Sequence, residues 1–190
     1  MPIQITDPRT LPPNFYFISK DGTFDFVSYL IKLRTQAEWN HSMLMRKPGF
    51  VVSQGMQLVE QPIDLYMKNG TRLDFFTLTN PIAQVLVAMN AYVDKRLAGN
   101  WLSKSYDILG IFGQLIGVPA IHTPGLDYCS EFTLSVLKSG TPFMSTPDST
   151  IIMGQSVESQ PQQLEYLYLN NPSIFTHYGT YESDNGVIVP

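Results

Sequence analysis

The sequence predicts an α+β fold: a small antiparallel sheet with helices laid against it. Three observations carry this. The first eighty residues break into short runs of aromatic and β-branched residues separated by turn signals, the pattern of strands. Residues 80–97 and 129–138 instead repeat apolar side chains every three or four positions, the pattern of helices buried along one side. Hydrophobic residues make up 44% and charged residues 15% of the 190, so the chain has apolar material for a core and a weakly charged surface.

Residues 1–13 carry Pro2, Pro8, Pro12 and Pro13 and read as a lead-in arm. Asn14 to Ile18 reads as the first strand, Lys20-Asp21-Gly22-Thr23 as a turn, and Phe24 to Leu33 as a short helix. Trp39 to Met45 and Phe50 to Gln54 form a predicted hairpin across Lys47-Pro48-Gly49. Met56 to Gln61 extends the sheet, Pro62 to Met67 is short and helical or irregular, and Leu73 to Leu78 follows the Asn69-Gly70 turn signal as a further strand.

Asn80-Pro81 predicts a helix start, a capping residue followed by a proline whose missing N–H costs nothing there. Ile82, Val85, Leu86, Met89, Tyr92, Val93 and Leu97 line its buried side, and Gly99 ends it. Ser105 to Ile116 is a second apolar segment punctuated by Gly110 and Gly113, with Gly117 after it, and Val118 to Gly125 is a loop. These glycines lack the Gly-Lys-Ser/Thr ending and the dinucleotide spacing of a phosphate loop, so helix packing explains them. Pro124-Gly125 then breaks the chain before a helix that opens near Cys129, with Phe132, Val136 and Leu137 on its buried side. Beyond Gly140, Ile151-Ile152-Met153 reads as a short strand and Gln162 to Leu167 as one or two helical turns. The aromatic tail shows no period and reads as a wrapping extension. This gives a main domain over 1–140 and a C-terminal extension over 141–190, packed on that domain or on a partner in an assembly.

The net charge of −4 and the absence of a long basic run argue against nucleic acid as a partner. One cysteine excludes an intrachain disulfide framework and a multi-cysteine metal site. No cofactor or metal is expected. No signal peptide and no transmembrane segment is expected either, which favours a cytoplasmic chain, or one packaged in a larger particle, over classical secretion.

That single cysteine, Cys129, is the strongest chemical candidate. In the first turn of a helix it lies near backbone N–H groups that favour the thiolate, the nucleophilic form. The competing reading is a buried structural cysteine. Of the three histidines, His41 lies in an apolar strand beside Trp39, His122 in a loop seven residues before Cys129, and His177 in the tail, read as a surface residue. None has the spacing of a His-Glu-x-x-His zinc helix.

Four segments carry a resemblance. They are Asn40-His41-Ser42-Met43-Leu44-Met45, Val51-Val52-Ser53-Gln54-Gly55, Tyr106-Asp107-Ile108-Leu109-Gly110 and Tyr128-Cys129-Ser130-Glu131-Phe132. In order and spacing they resemble the circularly permuted papain-like hydrolases, relatives of the NlpC/P60 cell-wall peptidases. In that family a histidine strand comes first, a strand with a polar orienting residue follows, and the cysteine helix comes last. The Tyr-Cys-Ser-Glu piece is the most specific. The resemblance covers about residues 14–140.

It implies a permuted papain-like fold with Cys129 as nucleophile, His41 as base and Gln54 as the group that orients the imidazole. Ser53 and Glu60 are ranked substitutes for Gln54, where the family often has an acid. Tyr128, Trp39 and Tyr106 would border the pocket. The implied reaction is hydrolysis of an amide, in peptidoglycan or a peptide, through an acyl-enzyme. A thiol esterase or acyltransferase acting on lipid is compatible with the same residues. A different class, a non-enzymatic structural or interaction component of a large assembly, is motivated by Gln54 in place of an acid and by the proline-broken tail.

Overall fold

The computed structural model describes residues 2–21, 39, 41–54, 57–68, 70–100, 129–156 and 160–183. Among these, seven strands form one sheet: β1 (Ile3–Gln4), β2 (Tyr16–Asp21), β3 (His41–Lys47), β4 (Phe50–Gln54), β5 (Leu58–Pro62), β6 (Arg72–Leu78) and β7 (Phe175–Glu182). Their spatial order is β1-β7-β6-β2-β3-β4-β5. Every pairing is antiparallel except β1 with β7, so the sheet is larger and more mixed than the small antiparallel one expected. Four α-helices accompany it: α1 (Ala83–Leu97), α2 (Cys129–Gly140), α3 (Thr146–Met153) and α4 (Pro161–Asn170).

Strand alternation divides the core in two. Phe17, Leu44, Val52, Phe76 and Phe175 face one side, where Val85, Met89 and Val93 of α1, Phe132, Val136 and Leu137 of α2, Ile152 of α3 and Leu164 and Tyr168 of α4 cover them. Tyr16, Ile18, Met43, Met45, Val51 and Phe75 face the other side. Ile5 and Leu11 of the N-terminal arm and Ile63, in a 3-10 turn over Ile63–Tyr66, cover that side. Both faces are apolar, which is why the strands read as continuous hydrophobic runs rather than as alternating ones.

The arm is more than a lead-in. Ile3 and Gln4 pair in parallel with Gly179 and Thr180, and Pro8–Thr10 forms a 3-10 turn capped by Asp7. Gly179 permits the pairing, because a Cβ there would stand 2.4 Å from the Ile3 carbonyl oxygen. The first strand runs on through Lys20 and Asp21, expected as a turn, because His41 and Arg72 provide their cross-strand partners. The β3–β4 hairpin forms where expected, with Gly49 at φ 76 in its turn.

Asn80 does not cap α1. It adopts φ 48, which asparagine tolerates, and the helix starts only after Ile82, whose side chain makes no capping bond. Ile151-Ile152-Met153 is helical rather than extended. Ser145 caps α3, a proline sits in its first turn, and only Ile152 of the helix is buried.

The tail supplies β7, a strand between β1 and β6. Its period was hidden by a register shift that sets Phe75 opposite Gly179 but Phe76 opposite His177, so Tyr178 is the extra residue. The side chains before and after the bulge therefore alternate out of phase. The expected helix over 24–33, the segment 105–116 and the loop 118–125 lie outside the described residues.

Candidate active site

Cys129 is the first residue of α2 and is 1% exposed. The helix is held by its own apolar side chains, nine of its twelve residues being buried, and by a hydrogen-bond relay to the sheet. Ser42 Oγ donates to Thr133 Oγ1 at 3.0 Å, and Thr133 Oγ1 donates to the Cys129 carbonyl at 2.9 Å. Both hydroxyl side chains are buried. The relay pins the first turn of α2 over the start of β3, the strand that His41 opens. Lys138 stands in the last turn, where a cation suits the helix dipole, and donates to the Gln155 carbonyl at 2.9 Å.

His41 and Ser53 are brought together. The His41 ring nitrogen Nε2 lies 2.7 Å from Ser53 Oγ, and the ring stacks on Tyr66 with centroids 5.9 Å apart. The register explains this. Met43 pairs with Ser53, so His41 and Ser53 are diagonal neighbours on one face. That face is the one of Met43 and Val51, opposite the helices.

Gln54, the first-ranked orienting residue, belongs to the other face. It pairs with Leu58, a side chain of the helix-covered core, and is fully buried. A one-residue step along a strand turns the side chain over, so Ser53 and Gln54 point to opposite faces. Glu60 pairs with Val52 and is engaged elsewhere, by Lys47 Nζ at 2.7 Å and Arg46 Nε at 3.4 Å. Trp39 is buried, with the Arg72 guanidinium 4.9 Å from its ring centre, and its backbone N–H donates to Gln162 Oε1 at 3.3 Å. Tyr128, Tyr106, Asp107 and His122 lie outside the described residues.

Alternation thus sets the His41 ring and the α2 helix on opposite faces of the sheet. Cys129 is one helical turn, about 5.4 Å, from Thr133, and His41 is one residue from Ser42. The Ser42–Thr133 bond is thus the link between the segment of His41 and that of Cys129.

A second polar group, not expected from the sequence, lies on the helix-covered face. Thr180, Asp74, Ser19 and Ser42 are successive cross-strand partners on β7, β6, β2 and β3. Asp74, Ser19 and Ser42 are buried. His177, expected at the surface, is half-buried, stacks on Phe76 at 4.6 Å and brings Nε2 to 3.8 Å from Asp74 Oδ1. Burial pushes the Asp74 carboxyl up, but the His177 ring, the Thr180 hydroxyl and the Arg72 guanidinium outweigh it and hold the carboxyl below its usual range. Above the row, Glu165 of α4 is 2% exposed, and burial pushes its carboxyl up to about 7. The available signal was an acid at the centre of the apolar Leu73-Asp74-Phe75-Phe76 run and another within an amphipathic helix.

Among the described residues, no group of three or more His, Cys, Asp or Glu could hold a metal ion, and no helix is long and apolar enough to cross a membrane. Compared with known protein families and with curated proteins, the chain matches none.

Proposed function

We propose that the chain is a cysteine hydrolase of the permuted papain-like kind, acting on an amide bond in a peptide or in peptidoglycan. The observation that carries the reading is the His41–Ser53 contact at 2.7 Å, on the strand to which the Cys129 helix is pinned. With Nε2 donating to Ser53, the ring is in the tautomer whose Nδ1 is the basic nitrogen. Ser53 then serves as the orienting group, in the role that the family resemblance implies first for Gln54. A hydroxyl fixes the ring but stabilises the imidazolium less than a carboxylate would.

In the reaction, His41 takes the thiol proton and the Cys129 sulfur attacks the substrate carbonyl. The backbone N–H of Cys129 stabilises the oxyanion. The amide C–N bond breaks as His41 returns the proton to the leaving amine. Water, deprotonated by His41, then attacks the thioester and releases the acid, and the proton returns to the sulfur. An ester or acyl-lipid substrate would follow the same steps with an alcohol as leaving group.

A second reading is favoured by a specific observation. Cys129 is 1% exposed, and the His41 ring faces away from the helix side of the sheet. On that reading Cys129 is a core residue and His41 a half-buried structural one, in a non-enzymatic component of an assembly joined through the surface of residues 141–190. Trapping separates the two. The full chain is incubated with an activated acyl ester and its intact mass is measured. The hydrolase reading expects one acyl group on Cys129, lost with time, and none in Cys129→Ala or His41→Ala. An unmodified wild-type chain, or acylation unchanged in His41→Ala, sinks it.

A further inference from the structure

The helix-covered face carries a cluster that the thiol chemistry does not use. Glu165 points from α4 toward the sheet, over the row of Ser19 and Asp74. Four buried side-chain atoms there make no hydrogen bond of good geometry, Glu165 Oε2, Asp74 Oδ1, His177 Nε2 and the Tyr168 hydroxyl, although Ser19 lies near Glu165, Ser42 near Tyr168 and His177 near Asp74. Glu165, Asp74 and Tyr168 are each at least 98% buried. Tyr168, one turn along the same helix, lies on Phe17, Phe76 and Phe175 with ring centres 5.8, 5.0 and 4.9 Å away. The helix is therefore docked by aromatic contacts at one turn and by a buried carboxyl group in a polar site at the next.

A carboxylic acid in such a site is tolerable, since it carries no charge and can donate one bond. A carboxylate there has lost its water and faces a second carboxylate, Asp74. The charged and titratable groups around it are Asp74 and Arg72 on β6, His177 on β7 and Tyr168 on its own helix. Asp21 lies at the end of β2 on the same face, and Glu131 is the buried acid of α2. Arg72 is shared with Asp74, at 3.0 Å, and stacks on Trp39.

We propose that Glu165 is a proton-operated latch: neutral, it seats α4 on the sheet, and ionised, it releases that helix from the Asp74–Ser19–Ser42 row. The proposal does not depend on the hydrolase reading. Release uncovers the row whose far end, Ser42, anchors the Cys129 helix.

The direction follows from burial. Desolvation is the largest cause of the upward shift of Glu165, repulsion from Asp74 adds to it, and the Ser19 hydroxyl, His177 and Arg72 oppose it. A carboxyl raised from 4.5 to about 7 holds the closed state fully below its ordinary value and loses that hold as pH climbs toward 7. Opening of α4 should therefore rise on the order of a hundredfold between pH 5 and pH 8.

Hydrogen exchange of the full chain, read by mass spectrometry and corrected for intrinsic amide rates, tests this, with α1 as internal reference. Protection of α4 relative to α1 should fall on that scale from pH 5 to pH 8, and Glu165→Gln should flatten the change. A pH-independent ratio in the wild type, or an unaltered pH dependence in Glu165→Gln, overturns the latch. Should Glu165→Gln fail to fold, Asp74→Asn removes the repelling charge and must shrink the change. An undiminished change in Asp74→Asn overturns the latch equally.

Discussion

Thr133→Val is the perturbation whose consequence the structure defines most fully. Valine keeps the shape of threonine but has no hydroxyl, and Thr133 is fully buried. The substitution removes the bond to the Cys129 carbonyl, about 1 kcal/mol, and leaves the Ser42 hydroxyl, 2% exposed, without its acceptor, about 1–3 kcal/mol more. The expected loss is about 3 kcal/mol, a fall in Tm of roughly 6–12 °C for a chain of this size. Ser42→Ala alone should cost about 1 kcal/mol, because Thr133 keeps its bond to the carbonyl. The double variant loses two bonds but orphans nothing and should cost about 2 kcal/mol, a coupling of about 2 kcal/mol. Urea denaturation followed by circular dichroism measures all four corners of the cycle. Additivity within about 0.5 kcal/mol would refute the relay that pins the nucleophile helix to β3.

Gly179→Ala places a methyl group 2.4 Å from the Ile3 carbonyl oxygen and should detach β1 from β7. Amides of residues 3–5 then lose exchange protection, at a stability cost of about 1–3 kcal/mol; unchanged protection would mean the arm is held elsewhere. Ser53→Ala removes the group on His41 Nε2 and should slow Cys129 alkylation by about tenfold, one hydrogen bond's worth. Gln54→Ala, on the opposite face, should leave alkylation within about twofold provided the fold survives, and the reverse ranking would restore Gln54 as the orienting residue. His177→Phe preserves the stacking on Phe76 but removes the ring beside Asp74, so the Asp74 carboxyl should titrate higher by NMR. No change would show that Arg72 and Thr180 suffice.

How much of this was legible in the sequence depends on whether the deciding interactions are local. The β3–β4 hairpin, α1 and α2 follow from turn residues and apolar periods within each segment, and they form close to where those signals stand. β7 was not legible because the bulge at Tyr178 shifts the phase of its alternation, and because its partner β6 lies about a hundred residues earlier in sequence. The choice between Ser53 and Gln54 turns on strand parity, which only the register of Met43 with Ser53 decides. Cys129, His41 and Ser53 could be named from their segments. The Asp74–Glu165–His177 group could not, since its members come from two strands and a helix that meet only in the folded chain.

Whether Cys129 and His41 act as a pair is directly measurable, because the chain has a single cysteine. The rate of iodoacetamide alkylation near neutral pH is compared between the native chain, the same chain in denaturant, and His41→Ala. A working pair makes the native thiol react faster than the denatured one, whose pKa is about 8.5, and His41→Ala takes that excess away. A native rate below that of the denatured chain and unmoved by His41→Ala would mean that Cys129 is a buried core residue and that the pair does not exist.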